Sequence, residues 1–362
     1  MSLFTWEEIT VPTPFYYPGP DFAEALGINP GGNTVVGTFG LRVLSGAPLL
    51  GGEFHGFVNY RGDNRLGSCD YPENPGGSTS SVGVNDNGDI VGFYVDKTRS
   101  NEQHSYVWLR GARAPFDLDV PFAAFSTDLT TEHTGAYGIN NEGFVVGMYA
   151  PRDSPNSGFV WRTDKIWSSF VHVDINDFAP VNNRVDSTRV RGINSLGDIV
   201  GSFQRKGKNV GFKWKVDIDA WKLDPDIKLA LVGEPEIIEI VNVPHPRFST
   251  ALNRQSRDTT VTGINDNGWI VGNYSIPGPR PDSSPGPTYH GFVWKPEADN
   301  SYLVGNHITI DILGATDTSI GGISTFGAFT GYYRDSGLKN PTKRGRHAFL
   351  GVVSGPVIGG LF

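Results

Sequence analysis

The chain has 362 residues with 47 Gly and 25 Pro, the two poorest helix formers, which excludes an architecture of long helices. A hydrophobic content of 38%, with 22 Phe, 13 Tyr and 8 Trp, supplies a large core and excludes a disordered or collagen-like chain. The formal charge of −8 argues against nucleic acid or an anionic membrane surface as partner, and a single cysteine, Cys69, excludes an intrachain disulfide or a thiolate metal cluster.

Taken from the N-terminus, Phe4-Thr5-Trp6-Glu7-Glu8-Ile9-Thr10-Val11-Pro12 reads as a strand, with no basic region ahead of an apolar run. No stretch approaches the roughly 18 apolar residues of a membrane helix. The expected location is therefore cytoplasmic, with secretion as the alternative if a signal segment precedes this sequence, and no membrane partner is expected.

A repeat begins next. Gly27-Ile28-Asn29 is followed by turn residues and an apolar run ending in Val36-Gly37. The same unit returns at Gly83-Val84-Asn85, Gly138-Ile139-Asn140, Gly192-Ile193-Asn194, Gly263-Ile264-Asn265 and, more loosely, Gly322-Ile323-Ser324. Asn-x-x-Gly between two β-rich runs is hairpin chemistry. Each copy continues into a short aromatic strand: His55-Gly56-Phe57-Val58, His104-Ser105-Tyr106-Val107-Trp108, Gly158-Phe159-Val160-Trp161, Gly211-Phe212-Lys213-Trp214, His290-Gly291-Phe292-Val293-Trp294 and His347-Ala348-Phe349-Leu350. A fourth strand ends near Asp70-Tyr71-Pro72, Asp119-Val120-Pro121 and their counterparts.

Four short strands per copy predict an all-β fold, a six-bladed β-propeller with four-stranded antiparallel blades. Residues 1–362 form one domain in this reading, with blade repeats starting near 25, 81, 136, 190, 261 and 320. The last copy runs out after Val353, while the first strand is surplus. Strand 4–11 is therefore expected to complete blade six and close the ring, a closure that has no meaning in an open stack.

The repeated Gly-Ile-Asn-x-x-Gly-x-Ile-Val-Gly and His-Gly-Phe-Val-Trp segments resemble those of HAF-repeat proteins over nearly the whole chain. The architecture also resembles propeller enzymes of fungal specialised metabolism that assist hetero-Diels-Alder couplings. The first resemblance implies the fold; the second implies cofactor-free chemistry on a small molecule.

Chemistry is expected on the face opposite the regular Asn-x-x-Gly turns, where loop lengths vary. The histidines His55, His104, His290 and His347 occupy one repeat position and are read as structural, their imidazoles bonding nearby backbone, so no metal site is expected. Nucleotide-binding and nucleophile motifs are absent from the sequence, and no cofactor is expected. Departures from the repeat carry more information. The residue before Gly-Ile-Asn is Leu26, Val82, Tyr137, Arg191, Thr262 and Gly321 in turn. Arg191 and Tyr137, with His133, are the candidate catalytic residues; Glu24, Tyr17, Glu132, Arg189, His245 and Arg254 are the candidate substrate-binding ones. Segments 218–260 and 275–289 are long enough to roof the mouth. The expectation is a cofactor-independent cyclase or hetero-Diels-Alder-type coupling enzyme acting on an apolar or aromatic small molecule. The alternative is a non-enzymatic propeller that binds a glycan or protein.

Overall fold

The computed structural model describes residues 4–11, 22–40, 54–61, 65–72, 77–99, 102–118, 131–151, 155–164, 169–177, 186–239, 258–276, 286–296, 307–335 and 345–353. The fold is all-β, with one short α-helix, Ile218–Leu223, among these residues. The strands fall into units of four antiparallel neighbours, each unit matching one sequence repeat.

The first strands are Phe22–Ile28, Ser78–Val84, Thr131–Ile139, Ser187–Ile193, Thr259–Ile264 and Asp317–Ile323. Each turns back on a second strand through Asn-x-x-Gly or its variant, and the glycine takes up left-handed backbone, as at Gly88 (φ 83°) and Gly197 (φ 81°). In the last unit the pairing order ends on an N-terminal strand: Phe4–Glu8 pairs antiparallel with Gly345–Val353, Phe4 opposite Val353 and Glu8 opposite Phe349. Phe4 and Trp6 pack edge-on against Phe329 and Phe349 there.

One expectation needs correction. The units are not all separate sheets, because two pairs of neighbours are each joined by a single parallel bridge, Phe22 to Arg346 and His133 to Gln103. A side-chain contact draws the strand starts together at each bridge. Arg346 forms an ion pair with Glu24 in one, and Gln103 Nε2 donates to the Thr134 carbonyl at 3.2 Å in the other.

The core lies between units rather than within them. Val36, Val58 and Cys69 pack on Val84, Tyr94 and Tyr106; Val200 packs on Val261 and Tyr274. Ala23, Val35 and Phe57 of the first unit share a cluster with Ala328, Ala348 and Leu350 of the last. The third-strand aromatics Phe57, Tyr106, Phe159, Phe212, Phe292 and Phe349 are fully buried, which is why that position is aromatic in every copy. At the innermost strands the units meet backbone to backbone. A Cβ on Gly138 would lie 2.9 Å from the Arg191 carbonyl and 3.2 Å from the Gly192 Cα, so only glycine fits.

A second correction concerns segment 218–260. Its described part does not roof the irregular face. The helix Ile218–Leu223 packs beside the Asn-x-x-Gly turn of the third unit, with Trp221 buried against Phe144 (centroids 5.4 Å) and under the Arg162 guanidinium (4.8 Å). Lys222 reaches Glu142 at 3.3 Å, and strand Leu231–Ile238 completes the fourth unit. Burial of Trp221 holds the insertion on the regular face. Residues 240–257 and 277–285 lie outside the described residues.

Candidate functional site

Each first strand carries a β-bulge immediately before its Gly-Ile-Asn, seen as a register shift between Ala25 and Gly27, Ser81 and Gly83, Ala136 and Gly138, Val190 and Gly192, and Val261 and Gly263. The residue left out of the pairing is Leu26, Val82, Tyr137, Arg191 or Thr262; in the last unit the shift falls between Ile320 and Ile323, around Gly321. A bulge frees one side chain from the pleat and re-aims it. All six of these residues line one central cavity of about 60 Å³. The variable position of the repeat is thus the one left out of the strand pairing, although Thr262 Oγ1 there donates to the Ile320 carbonyl at 2.8 Å.

Below that tier the chain is plugged. Ile28, Val84, Ile139, Ile193, Ile264 and Ile323 line both this cavity and a second one on the regular face. These six aliphatic side chains form an apolar collar between the two cavities.

On the irregular side Arg191 lies over the Tyr137 ring, 5.0 Å from the centroid, and Tyr137 in turn meets Phe93 edge-on at 6.3 Å. The Arg191 Nε is buried and has no hydrogen-bond partner among the described residues. Burial pulls the guanidinium below its usual value; the Tyr137 phenol opposes this, the charge of Arg189 adds to it and Tyr332 opposes it. An arginine stays protonated through such a shift at neutral pH. It is therefore a fixed cation, and its described contact is an aromatic face rather than a carboxylate.

Arg191 also borders a cavity of about 190 Å³ between the fourth and fifth units, lined by Ser187, Arg189, Ser202, Gln204, Asn209, Thr260 and Phe203. Ser202 Oγ accepts from the Val261 N–H at 3.0 Å, and Asp258 accepts from Asn209 N–H at 2.9 Å and Ser275 Oγ at 3.0 Å, which fixes the rim. Across the mouth, Tyr332 lies under the Arg346 guanidinium at 5.2 Å. Burial raises the Tyr332 phenol and Glu24 adds to it.

The sequence candidates separate into groups. Arg191, Tyr137 and Arg189 are brought together. Glu24 is held by Arg346, and His133 is exposed at its bridge to Gln103. Tyr17, His245 and Arg254 lie outside the described residues, as does the Glu132 side chain. A second variable position, the residue after Val-Gly, was not singled out by sequence: Thr38, Phe93, Met148, Ser202, Asn273 and Tyr332. Phe93 meets Tyr137, while Ser202 and Asn273 bind the next unit's first strand through Val261 N–H (3.0 Å) and Ile320 N–H (2.7 Å). The same search for departures from the repeat would have found it.

Three of the four repeated histidines meet carboxylates, partners that the sequence did not point to. His55 Nδ1 meets Asp70 at 3.0 Å, His290 Nδ1 meets Asp311 at 2.9 Å and His347 Nδ1 meets Glu8 at 3.1 Å. Each imidazole also lies against the second-strand ring of its unit: Phe39, Tyr274 and Tyr333 respectively. Among the described residues, no group of three His, Cys, Asp or Glu side chains is placed to hold a metal ion. No helix of the described residues is long and apolar enough to cross a membrane.

No protein-family model matches the chain. No curated protein matches it either. Solved structures do. A Trypanosoma rangeli sialidase is similar at 11% identity and a TM-score of 0.45, over 92% of this chain and 53% of that one. The chain thus spans about half the sialidase's length. The β-propeller domain of the Trilobed protease from Pyrococcus furiosus is similar at 10% identity and a TM-score of 0.43, over 95% of this chain and 100% of that one. The polysaccharide lyase Uly1 is similar at 11% identity and 0.39, over 93% and 90%.

Proposed function

We propose that residues 1–362 form a single six-bladed propeller of HAF-repeat type, its ring closed by the N-terminal strand, and that its irregular mouth binds and converts a small molecule without a cofactor. Support for the closed ring comes from contacts that pass from each unit to the next and from the last to the first, as between Gly322 and Gly27, whose Cβ-to-Cα approach would be 3.4 Å. Support for the mouth is one observation above others: Arg191 presents a partly buried guanidinium at a bulge position, with Tyr137 beneath it and no hydrogen bond or ion pair to any described residue.

A cation held in this way carries a desolvation cost that the Tyr137 ring offsets in part and an anionic ligand oxygen would offset further. Its N–H groups suit an oxygen on which negative charge grows, the requirement for polarising a carbonyl in a cyclisation or hetero-Diels-Alder-type coupling. Tyr137, Phe93 and Tyr332 supply ring surfaces that hold apolar partners in register, and such positioning contributes up to about 7–11 kcal/mol in favourable cases. The specific reaction rests on architectural likeness, not on a motif. A second reading, binding of a glycan or protein without turnover, is favoured by the polar lining of the 190 Å³ cavity.

The test incubates wild type, Arg191→Met and Tyr137→Phe with a cell metabolite mixture and compares retained and converted species by mass spectrometry. Loss of one oxyanion donor costs about 10²–10³ in rate, so Arg191→Met is expected to abolish detectable conversion. Retention without conversion in wild type selects the second reading. Unchanged retention and conversion in both variants removes the site.

A further inference from the structure

Among the described residues, the cavity between the fourth and fifth units is bordered by two arginines and no acid. Arg189 and Arg191 both border it, and the other described groups at its wall are neutral: Ser187, Gln204, Asn209 and Thr260 among them. Neither arginine has an ion pair among the described residues, although acidic side chains outnumber basic ones in the chain. Asp258, bonded to the lining residue Asn209, has its two oxygens engaged by the Asn209 N–H and Ser275 Oγ. Two adjacent cations raise each other's energy, and the field of Arg189 acts on Arg191 in that sense. A bound anion would relieve both.

We infer that this cavity is the subsite for a carboxylate group of the ligand, with Arg189 and Arg191 as its cationic donors and the Gln204, Asn209 and Ser187 side chains as neutral ones. The inference rests on the small-molecule reading above and narrows it to organic acids. Size supports a group rather than a whole ligand: about 190 Å³ is below the roughly 300–1,000 Å³ of sites that engulf a drug-sized molecule. The remainder of the acid lies toward the Tyr137 and Phe93 rings. Arginine favours a carboxylate because its planar fork matches two oxygens at once.

The test titrates the full-length protein with benzoate, its neutral isostere benzamide, and inorganic phosphate at low salt, followed by ligand-observed NMR. Benzoate is expected to bind at least about tenfold tighter than benzamide and to lose that margin in both Arg189→Met and Arg191→Met. Arg189 is exposed, so its substitution reads the site even where the Arg191 variant folds poorly. Benzamide binding as tightly as benzoate, with both still dependent on Arg191, overturns the acid class and leaves the small-molecule site standing. Phosphate binding tighter than benzoate overturns the carboxylate in favour of a phosphate. Absence of saturable benzoate binding, or binding unmoved by either substitution, overturns the subsite and the underlying reading together.

Discussion

The side-chain amide of Asn85 donates to the backbone carbonyl of Asn140 at 3.0 Å, so the residue that opens one hairpin turn is hydrogen-bonded to the turn of the next unit. The pattern repeats from Asn140 to the Asn194 carbonyl (3.2 Å), from Asn194 to Asn265 (3.2 Å) and from Asn265 to Ser324 (2.8 Å). Thr325 N–H then donates to the Pro30 carbonyl at 2.9 Å, and Asn29 donates to Asp86 at 2.6 Å. Meanwhile each Asn Oδ1 accepts a backbone N–H within its own turn, as from Phe144 to Asn140 at 2.9 Å. The asparagine therefore ties a turn and a neighbour at once while buried.

Replacing Asn140 with Ala strands the Phe144 N–H and leaves the Asn194 carbonyl with the Gly197 N–H alone, and a buried polar group left unpaired costs about 1–3 kcal/mol. Chemical denaturation is expected to show a loss in that range. Asn87→Ala removes an exposed bond to the Asn141 carbonyl and is expected to cost less than about 1 kcal/mol. Equal losses would mean that the belt adds nothing beyond ordinary turn chemistry.

Glu8 meets His347 as Asp70 meets His55 and Asp311 meets His290, which gives the N-terminal strand the fourth-strand role in the last unit. Removing residues 2–11 exposes the edge of strand Gly345–Val353 and the Phe329 and Phe349 rings. An unpaired, apolar edge is an aggregation site. Light scattering of the truncated chain is expected to show association together with a lowered melting temperature. A monodisperse truncation that melts like the parent contradicts the closure.

The carboxyl of Asp70 lies below its ordinary value: burial acts to raise it, but the contact with His55, a hydrogen bond from Ser68 and the Gly56 N–H outweigh that. A depressed carboxylate adds stability above its unfolded value and loses it as pH falls through the folded one. Wild type is therefore expected to lose stability more steeply than Asp70→Asn between about pH 4 and pH 2, in urea titrations at each pH. Parallel curves for the two proteins would show that the His55 pair is not coupled to folding.

The unit length, the strand order within each unit and the surplus first strand were legible because they rest on local pattern: Asn-x-x-Gly turns, Val-Gly runs and an aromatic third strand. What could not be read is the chemistry between units. The Asn belt looks like turn composition in sequence, since an interunit acceptor leaves no spacing signature. The helix around Trp221 is short, and its side of the fold is decided by Phe144 and Arg162, which precede it by many residues. At the site, position alone identified Arg191 and Tyr137 as exceptions. Their common cause, a bulge in every first strand, needed the register of two strands.

In the proposed function Arg191 is placed for a ligand and not for the scaffold, and the melting temperature of Arg191→Met distinguishes the two. Methionine can still pack on the Tyr137 ring and removes a partly buried charge that has no ion pair to any described residue. A melting temperature equal to or above that of wild type is expected, with ligand retention lost. A cation–π contact holding two units together is worth about 0.5–2 kcal/mol. A clear fall in melting temperature with retention intact would make Arg191 a structural residue and contradict the account.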